Sequence, residues 1–253
     1  MCVSLLCAQA QDSGMAPRRV LSSYNLEIGG ARNLSTYLSP LYYEGASFAL
    51  SGSWSKSFNR WSDRCVMRFE SAVTFDNLLN PVKSSAMYGL TARFAWGLSW
   101  RKWVAPQWQV TVGPALDIYG GALYMPINGN NPVTVLASAG IDTSASLLWK
   151  GKFGKLPVMI SDEIYIPTLS AFFCPEYGES FYEIYLGNRK NLAHFGWWGN
   201  NFSINNLLSI KLNFGKTGMT VGYRLDLRTF KANSLQTQVM RNAFVIGVIP
   251  NGF

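Results

Sequence analysis

The feature that most constrains the fold is an alternation of side chains that runs unbroken over residues 86–101. One face carries the apolar side chains of Ala86, Tyr88, Leu90, Ala92, Phe94, Trp96, Leu98 and Trp100. The opposite face carries mostly small or polar residues, among them Arg93 and Arg101. Successive side chains of a strand point to opposite faces, and strands of soluble sheets average about 5–6 residues. An alternation this long therefore predicts a strand with one face in lipid and the other in a lumen.

The same period of two recurs elsewhere in the chain. It runs through residues 20–29, 44–58, 65–76, 108–118, 133–150, 156–168, 202–214, 219–228 and 236–249. We therefore predict an all-β fold, an up-and-down antiparallel transmembrane β-barrel of about ten strands, as one domain over 11–253. Twelve strands are the alternative, because 179–187 and 191–198 could form a further hairpin.

Two irregularities interrupt the apolar rows of these segments. Asp162 lies in a row that is otherwise apolar. In the last segment, either parity leaves Arg241 or Asn242 in the apolar row. We expect a β-bulge in that last strand.

The segments between the predicted strands alternate in length. Short turns are expected near 59–63, 103–106, 151–154 and 214–217. Longer loops are expected near 30–43, 77–84, 123–132, 169–200 and 229–235. Because membrane barrels have short periplasmic turns and longer outer loops, this order places both termini in the periplasm.

Composition favours a bilayer over the cytosol. Charged residues make up 14% of the chain and aromatic residues another 14%, whereas soluble domains carry roughly 25% charged residues. Yet no stretch approaches the ~18–20 consecutive apolar residues that a membrane helix needs. We predict location in the outer membrane of a Gram-negative bacterium, with residues 1–10 as the remnant of a signal peptide.

Tryptophan and basic residues gather near the predicted short turns. A membrane girdle is predicted from Trp54, Trp61, Trp96, Trp100, Trp103, Trp108 and Trp149. Basic side chains beside the turns either contact lipid headgroups or form a solvated rim; they are Arg60, Arg64, Arg101, Lys102, Lys150, Lys152, Lys155 and Lys216. The net charge of +8 is spread singly rather than along one face, so no nucleic-acid partner is expected.

Three stretches of the second half carry a family resemblance. They are Tyr182-Glu183-Ile184, the run 194–200 (HFGWWGN), and Gly215-Lys216-Thr217-Gly218 followed by Gly222-Tyr223-Arg224. The chain resembles a family of outer-membrane barrels from Bacteroidetes that is known as a domain of unknown function. The resemblance implies a location and a fold, and no activity.

The predicted lumen face holds charges of both signs. These are Glu27, Arg68, Glu70, Arg93, Asp117, Asp142, Glu163, Lys211, Arg224, Asp226 and Arg228. A barrel of about ten strands is filled by side chains, whereas water-filled pores appear at about sixteen. We expect these charges to pair and close the bore. The alternative is a narrow ion or solute path along Arg93, Arg224 and Arg228.

No sequence pattern establishes a catalytic or metal site, and no cofactor is expected. His194, the single histidine, is a weak catalytic candidate that would make the chain an envelope-lipid hydrolase. Its neighbours do not match the motifs of barrel phospholipases, omptin-like proteases or lipid A deacylases. Cys65 and Cys174 are expected at opposite ends without a disulfide, with Cys65 facing lipid.

The segment 169–200 is the predicted functional region. It is rich in aromatic and apolar side chains, and exposed surface of this kind marks interaction sites. We predict a closed, non-enzymatic barrel whose outer loop binds outer-membrane lipid, a glycan or another envelope protein. The alternative is that this segment folds over the barrel mouth as a lid.

Overall fold

The computed structural model describes residues 20–58, 64–187 and 190–252. The predicted signal remnant at 1–10, Arg60 and Trp61 lie outside these ranges. The elements are β1 (Val20–Ser35), β2 (Ser39–Phe58), β3 (Cys65–Leu79), β4 (Ala86–Ala105), β5 (Trp108–Tyr124), β6 (Val133–Phe153), β7 (Leu156–Phe173), α1 (Phe181–Tyr185), β8 (Ala193–Gly196), β9 (Asn201–Asn213), β10 (Thr217–Ala232) and β11 (Leu235–Pro250). Among the described residues, no helix is long and apolar enough to cross a membrane.

The strands form one closed antiparallel barrel. Neighbours in sequence pair from β1 to β7, β7 pairs with β9, and β11 returns to pair with β1. The short β8 pairs with the outer end of β7, above the stretch that β9 occupies. The prediction of ten wall strands is therefore confirmed, and the twelve-strand alternative is wrong. Residues 181–185 form α1 instead, since Ser180 and Glu183 make a reciprocal capping box.

The stagger of the barrel follows from its register. A row of paired residues leaves β5 at Trp108 and passes through Trp149, Ile160, Ile210, Val221, Ile246, Leu26, Leu50, Val73 and Ala92. It returns to β5 at Gly120 instead of Trp108, so one circuit climbs most of the length of that strand. Such a shear implies that the strands tilt by about 40° from the barrel axis. The bore is therefore narrow enough for side chains to fill.

Two of the predicted long loops are tight turns. β1 and β2 are joined by residues 36–38, and β10 and β11 by Asn233 and Ser234, with φ of 51° and 60°. Positive φ at both central residues is typical of a type I′ hairpin. The strands continue past the bilayer, where outward positions such as Arg32 and Glu44 are polar. The alternation of apolar residues therefore ends before the strands do.

An apolar belt covers the outside of the barrel. Leu50 is 67% exposed, Leu90 58% and Phe244 69%, which in a monomeric soluble protein would be unfavourable. Of the predicted girdle, Trp100, Trp103, Trp108 and Trp149 lie near the turn end. Trp54 and Trp96 lie further into the belt, paired through Phe69.

Candidate functional site: the lumen and the outer cap

The middle of the lumen holds one continuous chain of ion pairs. Its links are Arg241–Glu27 at 2.5 Å, Glu27–Arg224 at 3.0 Å, Arg224–Glu70 at 2.7 Å, Glu70–Arg93 at 3.2 Å, Arg93–Asp117 at 2.5 Å and Asp117–Arg228 at 2.9 Å. Every member is at most 7% exposed. Buried charges are tolerable when they are paired and hydrogen-bonded in this way. We call these residues the lumen chain.

A second group lies on β3, β7 and β9. Arg68 is 3.4 Å from one oxygen of Glu163, and Lys211 is 3.7 Å from the other. Asp142 and Asp226 also belong to the wall of the lumen, but neither makes an ion pair within 4 Å among the described residues. The predicted lumen charges therefore line one bore, and all of them except these two aspartates are ion-paired there.

Arg241 is the member that sequence reasoning did not assign. β11 keeps an unbroken register with both β1 and β10, so the predicted bulge is wrong. Arg241 points inward to Glu27, and Asn242 lies on the outer face. The outer row of β11 is not purely apolar, because it carries Asn242 without any break in register. The acidic Glu27 on the adjacent strand was the signal for an inward arginine.

The outer third of the lumen is apolar rather than charged. Tyr43, Leu78, Met87, Leu123, Phe172 and Phe230 are among the side chains of one buried cluster. Leu38 and Met125, which belong to two outer connections, are part of it. Above the lumen chain the bore is thus sealed by a hydrophobic plug. A water-filled path would leave the charges of the lumen chain exposed, and they are buried, so the bore is closed at that level.

A short segment covers the outer mouth. Since β7 reaches Phe173 and β8 spans Ala193–Gly196, the loop predicted over 169–200 is divided by β8, and we call its described residues 174–187 and 190–192 the cap. The Tyr37 hydroxyl donates to the Glu179 carbonyl at 2.7 Å, and the Tyr37 ring packs edge-on against Phe181. From the other side, the Asn128 amide donates to the Leu38 carbonyl at 2.9 Å. Two loops therefore meet over the β1–β2 turn.

His194 and Asn233 hold the base of the cap. The His194 ring packs on Phe172 with centroids 5.4 Å apart, and its Nε2 lies 3.2 Å from both the Cys174 carbonyl oxygen and Asn233 Nδ2. Asn233 Nδ2 also lies within 3.2 Å of the Pro175 and Asn191 carbonyl oxygens. The hydrogen-bond partners described for His194 include no carboxylate. Its geometry is that of a packing residue.

The two described cysteines are free thiols at opposite ends of the barrel. Cys65 lies on the outer row, as predicted, but it is buried rather than exposed to lipid. Cys174 is buried at the base of the cap, and burial raises the pKa of its thiol to about 11. Among the described residues, no group of three or more His, Cys, Asp or Glu side chains could hold a metal ion.

Cys174 provides a test of the cap. With Cys174 as the sole cysteine, we expect slow maleimide labelling at neutral pH, because the thiol is covered and protonated. Asn233→Gly keeps the positive φ of the turn but removes the amide, so labelling should accelerate about 5- to 100-fold through local opening. Asn130→Gly, in an exposed stretch of another loop, is the matched control. Equal rates for all three proteins would show that Asn233 does not hold the cap.

Comparison with known proteins identifies the family of this chain. The sequence matches, over residues 1–252, the family described as "Protein of unknown function (DUF3316)". The chain belongs to this family. No protein of curated function matches the sequence.

Several solved barrels have similar folds. The outer membrane protease OmpT from Escherichia coli has 6% identity and a TM-score of 0.46, with 96% of this chain and 99% of that chain covered. The beta domain of the Bordetella autotransporter BrkA has 9% identity and a TM-score of 0.44, covering 91% and 99%. A mutant of the monoaromatic hydrocarbon channel TodX has 8% identity and a TM-score of 0.35, covering 94% and 91%. These likenesses transfer no activity. The closed barrel and its apolar belt agree with the predicted location in a bacterial outer membrane.

Proposed function

We propose that this DUF3316 protein is a non-enzymatic outer-membrane barrel that displays its cap to bind a glycan of the cell envelope. The observation that carries the proposal is the contrast between a closed bore and an outer surface that exposes aromatic side chains. A barrel whose lumen is filled by ion pairs and a hydrophobic plug offers no path for transport. What it presents to the outside is the cap.

The exposed side chains of the cap include three tyrosines. Tyr177 is 75% exposed, Tyr182 68% and Tyr185 82%. Phe181 of the same segment stacks on Phe173 of β7, whereas these three rings face solvent. Tyrosine combines a large apolar face with a hydroxyl that can donate or accept a hydrogen bond. Such a surface suits a partner that is both ring-shaped and polar.

An amide-rich groove continues this surface. It is lined by Tyr37 and by the β5–β6 loop residues Ile127, Asn128, Gly129, Asn130 and Asn131. Tyr37 contacts Phe181 of the cap, so the groove lies beside the cap. Asparagine amides offer donors and acceptors together, and Tyr and Asn are enriched in adaptable recognition surfaces. The combination matches the hydroxyl-covered faces of saccharides better than acyl chains.

Binding to purified surface polysaccharide tests the glycan partner. The barrel in detergent would be compared with a Tyr182→Ala/Tyr185→Ala variant by biolayer interferometry, and we expect at least about tenfold weaker binding. Val82→Ser, which alters a residue that is 77% exposed in the β3–β4 loop, should bind like the wild type. A wild-type barrel that does not bind the purified polysaccharide would contradict a glycan partner.

Conductance tests the closed bore. In planar bilayers we expect no discrete current steps across voltages, because the three arginines of the narrow-channel alternative are all ion-paired. An open porin in the same bilayer is the positive control. Reproducible steps from the wild-type barrel would favour that channel instead. For the hydrolase alternative, His194→Ala should leave envelope-lipid turnover unchanged.

A further inference from the structure

Polar side chains interrupt the apolar belt on one side of the barrel. On the outer face of β6, β7 and β9 lie Thr143, Asp162, Thr168 and Asn206, of which the first three are exposed. Asn206 Nδ2 donates to an Asp162 carboxylate oxygen at 2.6 Å, and the Thr143 and Thr168 hydroxyls are 2.9 Å apart. We call these four residues the belt patch.

The belt patch lies within the belt, not at its edge. Asp162 stands between Ile160 and Ile164 on β7, and Asn206 stands between Ile204 and Leu208 on β9. A carboxylate or an amide in hydrocarbon is costly unless its hydrogen-bonding capacity is met, and charged side chains on the lipid face destabilise membrane barrels. Asp162 is exposed although it already accepts one hydrogen bond. Lipid tails offer it no further donor.

Register gives the heights of the two ends of the belt patch. Trp149 on β6 and Ile210 on β9 belong to the same hydrogen-bonded row, which climbs toward the outer end as it passes from β6 to β9. Ile210 therefore stands somewhat higher than Trp149. Along its strand, Thr143 is further above Trp149 than Asn206 is above Ile210. Because Ile210 itself stands higher than Trp149, these two differences in height offset each other. Thr143 and Asn206 thus lie at nearly the same height, on strands that flank β7.

We propose that the belt patch is the interface between two copies of this chain, related by a two-fold axis along the membrane normal beside β7. Such an axis sets β6 of one copy against β9 of the other, and equal heights bring Thr143 to Asn206 of the partner subunit. Of the two hydroxyl hydrogens of Thr143 and Thr168, one is not used in the hydrogen bond between them. The Asp162–Asn206 pair supplies acceptor oxygens. The threonine pair of each copy therefore donates to the acceptor pair of the other copy, once on each side of the two-fold axis.

Apolar side chains around the belt patch would pack in the same contact. Ile141 and Leu208 are each 50% exposed, and Ile160 is 37% exposed. Interfaces inside membranes rely on such packing together with hydrogen bonds between facing polar side chains. A second copy meets both needs because it brings the same set at the same height. A different protein would need its own matching donor, and this chain already carries one.

Cysteine cross-linking in intact membranes tests the interface. In a background without other cysteines, Thr143→Cys/Asn206→Cys should yield a disulfide-linked dimer on mild oxidation. Residues 143 and 206 are two strands apart, and twice the ~4.8 Å strand spacing separates them by roughly 9–10 Å. This separation is beyond the ~7 Å limit for a disulfide within one copy.

A matched cysteine pair on the far side of the belt is the control for cross-linking. Leu26 on β1 and Val73 on β3 both pair with Leu50 on β2, so they too are two strands apart. Both face outward and are exposed, at 48% and 54%. Leu26→Cys/Val73→Cys should give at least about tenfold less dimer, because no interface is proposed there. A dimer band from Thr143→Cys/Asn206→Cys that is no stronger than this control would overturn the proposal.

Mass measurement of detergent complexes provides the second readout. We expect Asp162→Leu/Asn206→Leu to remain folded, with heat-modifiable migration on gels. Its dimer population should be at least about tenfold smaller than that of the wild type. Ser71→Leu, a polar-to-apolar change elsewhere on the belt, should keep the dimer. A dimer that survives the double substitution, or a stoichiometric second protein in place of the dimer, would overturn a self-association through this patch. Neither result would bear on glycan binding by the cap.

Discussion

Glu27→Ala is expected to lower the free energy of unfolding by about 3–5 kcal/mol, the typical cost of leaving a buried charge without its partner. Glu27 is fully buried and accepts from Arg224, Arg241 and Ser51 at 3.0, 2.5 and 2.5 Å. Its removal leaves Arg241 without an ion-pair partner among the described residues at the β1 end of the lumen chain and leaves Arg224 with Glu70 alone. Urea unfolding of barrels refolded into lipid vesicles, followed by the heat-modifiable gel band, measures the change.

The exposed ion pair between Arg32 and Glu44 supplies the control for Glu27. Their side chains are 53% and 65% exposed, so Glu44→Ala should cost less than about 1 kcal/mol. Adding Arg241→Met to Glu27→Ala should recover part of the loss, because it removes the guanidinium that lost its only ion pair within the described part of the chain. If Glu27→Ala proved no more destabilising than Glu44→Ala, the lumen chain would not stabilise the barrel.

Gly29→Ala is expected to block closure of the barrel. Gly29 lies opposite Ala243 in the seam where β1 meets β11. A Cβ at Gly29 would overlap the Asn242 carbonyl oxygen and lie 2.6 Å from the Ala243 Cα. These are backbone atoms, so the two strands must separate and lose seam hydrogen bonds. We expect a loss of about 3 kcal/mol or more, seen as a large fall in the fraction that acquires the folded gel mobility.

The adjacent glycine provides a matched control for the seam. A Cβ at Gly30 would have the Gly45 carbonyl oxygen as its nearest neighbour at 3.5 Å, an ordinary contact. Gly30→Ala should therefore fold with wild-type yield. Equal yields for the two variants would mean that β1 and β11 are not in close contact at Gly29.

The alternation of side chains predicted the wall of this barrel because the bilayer enforces it. In β4, lipid requires apolar residues such as Leu90 and Trp96 outside, while Arg93 must point inward to a partner. That requirement applies only as far as the lipid headgroups. Beyond the headgroups, the outward side chains of Arg32 on β1 and Glu44 on β2 are solvated. The strands therefore extend further than the predicted ends, and two of the predicted loops are turns.

The sequence by itself therefore determined the fold, the inward placement of the charges and the polar interruption at Asp162, because each is a property of a single strand. Tertiary structure decided which charges pair, as with Arg241 and Glu27, since that depends on stagger between strands distant in sequence. It also decided that residues 174–187 and 190–192 form a cap held by Tyr37 and Asn233. Those contacts join three separate turns, and no local pattern encodes where such turns meet.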